Sequence, residues 1–306
     1  MSDLTKTKNL NIFNKTPQLT THHSPLTTHL KPNDTETMKR ILFYSILIFW
    51  TILFLYPFLW MLSATLRPEA EIGSFGIVPS KLSLSSYITV FQKIPILRAF
   101  LNSLLVASSV TAGVIVFGSM IGYSLARLNF RGKKLIFTVI LFTMTLPFQI
   151  TLIPQYILMV KFHWTESYLA LIIPYLVNTF AIILFRQHFL TIPQDLVDAA
   201  RIDGCSEFHI LFRIFWPLSV PAIITVGIIT FMTAWNEVLW PLIVIHERDM
   251  MTLPQIVTIF VVGGQAEGLM GVKLAAAMLL ALPIIVAYSI FQRYFIESMA
   301  TSGLKG

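Results

Sequence analysis

The feature that most constrains this chain is a series of long stretches without a single Asp, Glu, Lys or Arg. Between Arg40 and Arg67 there are 26 such residues, between Arg98 and Arg127 there are 28, and between Lys134 and Lys161 there are 26. Between Glu166 and Arg186 there are 19, between Lys273 and Arg293 another 19, and from Ile214 to His246 only Glu237 is charged. A helix needs roughly 20 apolar residues to cross a bilayer, so each run suffices for one crossing and is too short for two. Lipid offers the backbone no hydrogen-bond partner, which leaves helices as the spanning element. The expected fold is an all-α integral membrane protein with six transmembrane helices. The composition agrees: 12% of residues are charged and mean hydropathy is +0.73, against about a quarter charged in a soluble domain. Prolines within the runs (Pro57, Pro147, Pro154, Pro174, Pro283) are tolerated where neighbours satisfy the freed carbonyls. Small residues in the second run, Gly113, Gly118 and Gly122 among them, suit close helix contact.

Orientation follows from Lys and Arg, which favour the cytoplasmic side. With the N-terminus inside, inner segments hold 15 of the 22 basic residues and outer segments hold seven. Both termini are therefore expected in the cytoplasm. Residues 1–38 are polar, without apolar periodicity, and read as a disordered cytoplasmic tail; His22, His23 and His29 there read as solvated. The first transmembrane helix is placed at 39–66 and the first extracytoplasmic loop at 67–98. The third outer loop, about His246 to Lys273, carries four glycines and reads as a turn-rich surface segment.

One stretch departs from this apolar pattern. Pro193 to Pro221 is amphipathic and faces the cytoplasm in the loop between spans 4 and 5. Pro193 suits an early helical position and Gly204 a helix stop. Ser206 suits an N-cap, followed by Phe208, Leu211, Phe212 and Phe215 at i, i+3, i+4 and i+7. Such a stripe outside the membrane has a use if it docks on another protein.

Several chemistries are excluded by pattern. The phosphate-loop form G-x-x-x-x-G-K-[ST] is absent: the one Gly-Lys pair, Gly132-Lys133, is followed by Lys134 and has Arg127 where the first glycine belongs. No H-E-x-x-H or Ser-His-Asp arrangement is readable, and one cysteine, Cys205, allows no internal disulfide. The net charge of +7 fits retained cytoplasmic loops rather than nucleic-acid binding. No cofactor is expected on this chain.

The residues then resemble a known family. Inner-membrane subunits of binding-protein-dependent ATP-binding-cassette (ABC) importers carry a cytoplasmic E-A-A-x-x-D-G-A signature, then an aromatic position and two prolines. Here it stands as Asp198-Ala199-Ala200-Arg201-Ile202-Asp203-Gly204-Cys205, then Phe208 and Phe212, then Pro217 and Pro221. Asp198 replaces the usual Glu and Cys205 the usual Ala. Trp235-Asn236-Glu237 with Trp240-Pro241, and the ending from Gln292-Arg293 through Lys305-Gly306, resemble the six-span, maltose-importer-like, carbohydrate-uptake class over residues 40–306.

The resemblance implies a transmembrane domain over 99–293 with a cytoplasmic coupling helix pair in a loop at about 187–216, and a C-terminal cytoplasmic tail at 294–306. It implies a non-enzymatic permease subunit in the inner membrane. The partners it implies are a second permease subunit in a heterodimer, two ATP-binding subunits that hold ATP and Mg, and an extracytoplasmic solute-binding protein. Contact with the ATPase would fall to Asp198, Ala199, Ala200, Asp203, Gly204, Phe208, Leu211 and Phe212, with Asp198 pairing to a basic residue and the apolar side chains filling a pocket. Within the spans, Glu237 is the one acid deep in an apolar run and should face a bundle interior or wet cavity. Asn236, Glu237 and Gln149 are the substrate-path candidates, with Asn178 a weaker one; an interhelical bond is the plainer role for Glu237. Carbohydrate import is the leading reading. Import of glycerol phosphate or another polar solute is the alternative, followed by an ion-coupled secondary transporter, which would need more intramembrane charge than one Glu.

Overall fold

The computed structural model describes residues 34–73, 78–264, 266 and 268–303. Residues 1–33, which include the three tail histidines, and residues 304–306 lie outside the described residues. Among the described residues every regular element is helical, with no strand: α1 Asp34–Thr65, α2 Ser85–Lys93, α3 Ile96–Arg127, α4 Lys133–Thr143, α5 Phe148–Lys161, α6 Tyr168–Ile172, α7 Thr179–Thr191, α8 Gln194–Ile202, α9 Glu207–His209, α10 Trp216–Leu218, α11 Val220–Trp235, α12 Leu239–Val244, α13 Leu253–Val262 and α14 Met270–Gly303. Helix α1 starts before residue 39, and α14 runs on through most of the segment assigned to a C-terminal tail.

Among the described residues, four continuous segments are long and apolar enough to cross a membrane, or up to six if each of two bent pairs is one span. The α4–α5 pair bends by 103° at Pro147, whose φ of −60° and ψ of 135° break the helix. The segment Glu207–Leu218 meets α11 at 86°, where Pro217 and Pro221 each lack the N–H that a continuous helix would use.

The chain divides into two compact units, Met1–Phe54 and Leu55–Gly306. In the first, the described part of α1 presents exposed apolar side chains, Phe43, Trp50 and Phe54 among them. In the second, α3 is the spine, packing along both α7 and α11. Glycines set the closeness of that contact. A Cβ at Gly122 would stand 2.8 Å from the Phe185 Cβ and 3.1 Å from the Arg186 nitrogen, and one at Gly118 would meet the Ala181 Cβ at 3.1 Å. One core gathers Val110, Val114, Tyr123, Phe185, Phe189, Leu211, Phe215 and Trp240; a second gathers Val90, Ala99, Trp235, Phe260, Val272 and Ala275.

The third outer loop differs from its expected form. Its first half is α13, with Leu253, Ile256, Val257 and Phe260 buried. These stand at i, i+3, i+4 and i+7, a helical stripe that the nearby glycines masked. Buried Gln255 donates from Nε2 to the carbonyls of Pro241 (3.1 Å) and Ile245 (2.6 Å) at the end of α12, where the Pro241 carbonyl also accepts from the Ile245 N–H at 3.0 Å.

Glu166 ties this face together. Its carboxylate accepts from the His246 and Glu247 backbone N–H groups at 2.9 Å and from His246 Nδ1 at 2.8 Å. Burial alone would raise its pKa, but these donors outweigh burial and hold it below the ordinary carboxylate value. A depressed pKa in the folded state contributes stability that is complete above the unfolded value, about 4.3, and is lost as pH falls through the folded value. The protection of the His246 and Glu247 amides against hydrogen exchange, relative to the intrinsic rate at each pH, is therefore expected to be high at neutral pH and to fall below about pH 4; Glu166→Gln should show lower protection at neutral pH with much less acid dependence. For the spine, Gly122→Val is expected to destabilise the protein by about 1–3 kcal/mol in detergent unfolding. Gly227→Ala, whose Cβ meets nothing closer than 3.5 Å, should be neutral or stabilising.

Candidate functional site

Helix α8 is built to end sharply. Asp195 lies in its first turn and Arg201 in its last, each complementing the helix dipole. The Cys205 N–H donates to Ala200 O (2.9 Å) and Gly204 N–H to Arg201 O (3.0 Å), the paired bonds of a Schellman stop. Gly204 takes φ +78°, which a side chain resists. Ser206 then caps α9, its Oγ accepting from His209 N–H at 3.3 Å. A π-helical turn, Ile210–Phe215, carries the chain to Trp216 and Pro217.

That turn changes which side chains face out. A π turn has more residues per turn than an α-helix, so side chains spaced for one α-helical face no longer share it. Leu211 is 2% exposed and Phe215 fully buried, with the Phe215 ring edge-on to Tyr123 (5.0 Å between centroids) and Phe189 (5.2 Å). Phe212 is half-buried against Trp216. The stripe expected to meet another protein is therefore divided: Leu211 serves this chain's own core and Phe208, 62% exposed, stays outside. Ile202, 86% exposed, joins it. The outward face of the element is thus Asp198, Ala199, Ile202, Asp203, Gly204 and Phe208, all exposed, while Val197 and Ala200 point inward.

Two braces hold this element to the helices beneath. Glu207 receives Arg201 Nε at 2.9 Å on one oxygen and the Tyr123 hydroxyl at 2.5 Å on the other, joining α8 to the end of α3. The hydrogen bond to Glu207 raises the Arg201 pKa further above neutrality. Arg127, the last residue of α3, donates to Gln194 Oε1 at 2.7 Å and to the carbonyls of Phe189 and Ile192, with its guanidinium 5.5 Å from the Phe215 ring centroid. Asp198, expected to seek an external base, accepts from Gln194 Nε2 at 3.0 Å and lies 3.7 Å from Arg201. Exposed pairs of this kind contribute at most about 1 kcal/mol. Neither Glu207 nor Tyr123 was picked out by the sequence pattern, since their meeting depends on tertiary structure across 84 positions.

A second feature lies within the helices. A partly open pocket of about 180 Å³ is lined by residues of α3, α6, α7, α11 and α12, with Tyr175, Asn178, Glu237, Trp240 and Thr252 among them. One oxygen of Glu237 accepts from Trp240 N–H at 3.2 Å, capping α12; among the described residues nothing bonds the other. Among the described residues the Tyr175 and Thr252 hydroxyls are fully occluded and have no hydrogen-bond partner, a condition that costs about 1–3 kcal/mol per group. Asn178 caps α7 through the Ala181 N–H at 3.0 Å. Of the sequence candidates, Glu237 and Asn178 meet here. Asn236 is exposed and folds back onto Met232 O at 2.8 Å, and Gln149 is exposed outside the cavity lining.

Residues 114–301 match the family described as the binding-protein-dependent transport system inner membrane component. The chain is similar to the arabinooligosaccharides transport system permease protein AraQ of Halalkalibacterium halodurans, 35% identical over 82% of this chain and 91% of the relative. It is similar to the trehalose/maltose transport system permease protein MalG of Thermococcus litoralis, 31% identical over 89% and 99%. Its fold is similar to a chain in the crystal structure of a bacterial ABC transporter involved in the import of the acidic polysaccharide alginate, with a TM-score of 0.75, 21% identity, and coverage of 86% of this chain and 98% of that one.

The Tyr123–Glu207 brace has a direct energetic test. In a double-mutant cycle of Tyr123→Phe and Glu207→Gln, the two losses of stability are expected to be non-additive by about 1 kcal/mol. Strict additivity in detergent unfolding would show the two residues act separately.

Proposed function

The chain belongs to the family of binding-protein-dependent transport system inner membrane components, and from that membership we infer that it is the six-span permease subunit of an ATP-driven carbohydrate importer. The relatives named for arabinooligosaccharides and trehalose/maltose support carbohydrate over glycerol phosphate as the solute class. The excess of Lys and Arg on inner segments supports a cytoplasmic-membrane protein with both termini inside.

One observation carries the mechanism: an outward face of Asp198, Ile202, Asp203, Gly204 and Phe208 on an element braced at Glu207 and Arg127. An ATP-binding partner subunit, which holds the ATP and Mg, takes this face into a groove. Ile202 and Phe208 fill its apolar part and Asp198 exchanges Arg201 for a base of the partner. Ala199 leaves room for close approach. When two such subunits close and reopen, the braces carry the displacement into α3 and α7, and access to a path shared with a second permease subunit alternates. An extracytoplasmic binding protein delivers the solute, and Glu237, with Asn236 and Gln149 nearer the surface, lies along the path. This chain moves and does no chemistry itself.

Asp198→Lys is expected to lower uptake of radiolabelled arabinotriose, lactose or maltose at least tenfold, because like charge at a docking contact costs several kcal/mol. The ATP-binding subunit should no longer co-purify. Gly204→Pro, which forces φ to about −65°, should do the same. Wild-type uptake and assembly in both variants would sink this reading.

A further inference from the structure

The C-terminal part of α7 carries a charge that the described residues do not neutralise. Arg186 lies five residues before the end of α7, about 7.5 Å inside it at 1.5 Å per residue, in a segment apolar enough to span a membrane. An arginine so placed reaches for a counter-ion or for the membrane interface. The Phe137 ring of α4 lies under its guanidinium, 4.1 Å from the ring centroid, and its Nε is buried without a partner. Among the described residues no carboxylate pairs with Arg186 and no acceptor bonds its terminal nitrogens, which are not occluded. Lys133, one turn before Phe137, donates to the Leu128 and Ala126 carbonyls (2.9 and 3.5 Å) and keeps a third hydrogen. The charges that act on Lys133 are those of Arg186 and Arg127, both positive. Asp198 acts on Arg127 but already accepts from Gln194 and faces Arg201. The border of this cluster is apolar: Ile136, beside Phe137, is 45% exposed, and Leu190, one turn beyond Arg186, is 47% exposed.

We propose that Arg186 and Lys133, with Arg127 behind them, form a binding site for the phosphate of an anionic phospholipid whose acyl chains lie against Ile136 and Leu190. A guanidinium edge and an ammonium both donate to phosphate oxygens. A headgroup without a cation of its own, such as glycerol, adds only negative charge to the cluster, whereas choline would bring a further positive charge into it. Free phosphate offers the same oxygens but leaves the apolar border uncovered, so the lipid is the better complement. The general bias of basic residues toward the inner side concerns loops; Arg186 stands within a span and is held in place by Phe137, which makes this a site rather than a diffuse attraction. The proposal rests on the orientation given above for its place in the inner leaflet and is independent of the transported solute.

The test uses the full-length protein purified in detergent with the subunits that accompany it, and native mass spectrometry to measure bound lipid. Phosphatidylglycerol, phosphatidylcholine and inorganic phosphate are added separately and in competition. Wild type is expected to hold phosphatidylglycerol several-fold more tightly than phosphatidylcholine, and inorganic phosphate is expected not to displace it. Arg186→Gln and Lys133→Gln should each weaken phosphatidylglycerol binding about fivefold, the share of one basic residue at an anionic surface, and Arg186→Lys should keep most of it. Arg213→Gln, which removes an exposed charge elsewhere on the same side, should leave binding unchanged. Equal weakening by Arg213→Gln would show diffuse attraction and overturn the site. Displacement of the lipid by inorganic phosphate would overturn it in favour of a free anion. Undiminished lipid binding in both Arg186→Gln and Lys133→Gln would also overturn it; if those variants shed a subunit as well, the counter-ion of Arg186 belongs to that partner. The same spectra report whether wild type carries an ATP-binding subunit, so failure of the permease reading is read separately from failure of the lipid site.

Discussion

The C-terminal end of α7 is the point on which the rest depends. A helix end leaves carbonyls short of partners; here Arg127, which terminates α3, donates to the carbonyls of Ile192, the C-cap of α7, and of Phe189, which also accepts from the Ile192 N–H. The planar fork of an arginine can serve several acceptors at once. The same guanidinium reaches Gln194 at the start of α8 and lies over the Phe215 ring. Four segments thus meet at one side chain. Above it, Tyr123 and Phe189 receive Phe215 edge-on, and Glu207 closes the loop back to Arg201. The outward element is consequently not a free loop; any displacement of it must move the ends of α3 and α7.

The all-helical apolar architecture and its four continuous long apolar segments were legible in the sequence because the charge-free runs report directly on what lipid tolerates. The helix–stop–cap order around Gly204 was legible too, since a left-handed glycine and a serine N-cap are local requirements. Their orientation was less so. The stripe through Phe208, Leu211 and Phe215 assumed an α-helical period, and the π turn before Pro217 sends Leu211 and Phe215 inward. Ile202 went unnoticed for the opposite reason: beside Arg201 and Asp203 it has no apolar periodic partner, and only the turn geometry leaves it exposed. Helix α13 carried a readable stripe at Leu253, Ile256, Val257 and Phe260 that the following glycines obscured.

Within the spans, Glu237 stood out because an acid in an apolar run is expensive. Its companions did not, because a tyrosine and an asparagine in an apolar run and a threonine in a loop are ordinary. Tyr175 and Thr252 stand 77 positions apart and line the same pocket only through the packing of the helices around it. Asn236, adjacent in sequence to Glu237, satisfies itself on its own helix instead. Site residues separated this far leave no pattern in one sequence.

The central claim is that the partner subunit reads Ile202 and Phe208 while Leu211 stays in this chain's core. The most direct measurement is cysteine cross-linking in the assembled complex, after Cys205→Ser removes the chain's one cysteine. Ile202→Cys is expected to form a bismaleimide adduct with an ATP-binding subunit, and Leu211→Cys none. Cross-linking through Leu211→Cys with none through Ile202→Cys would contradict the account.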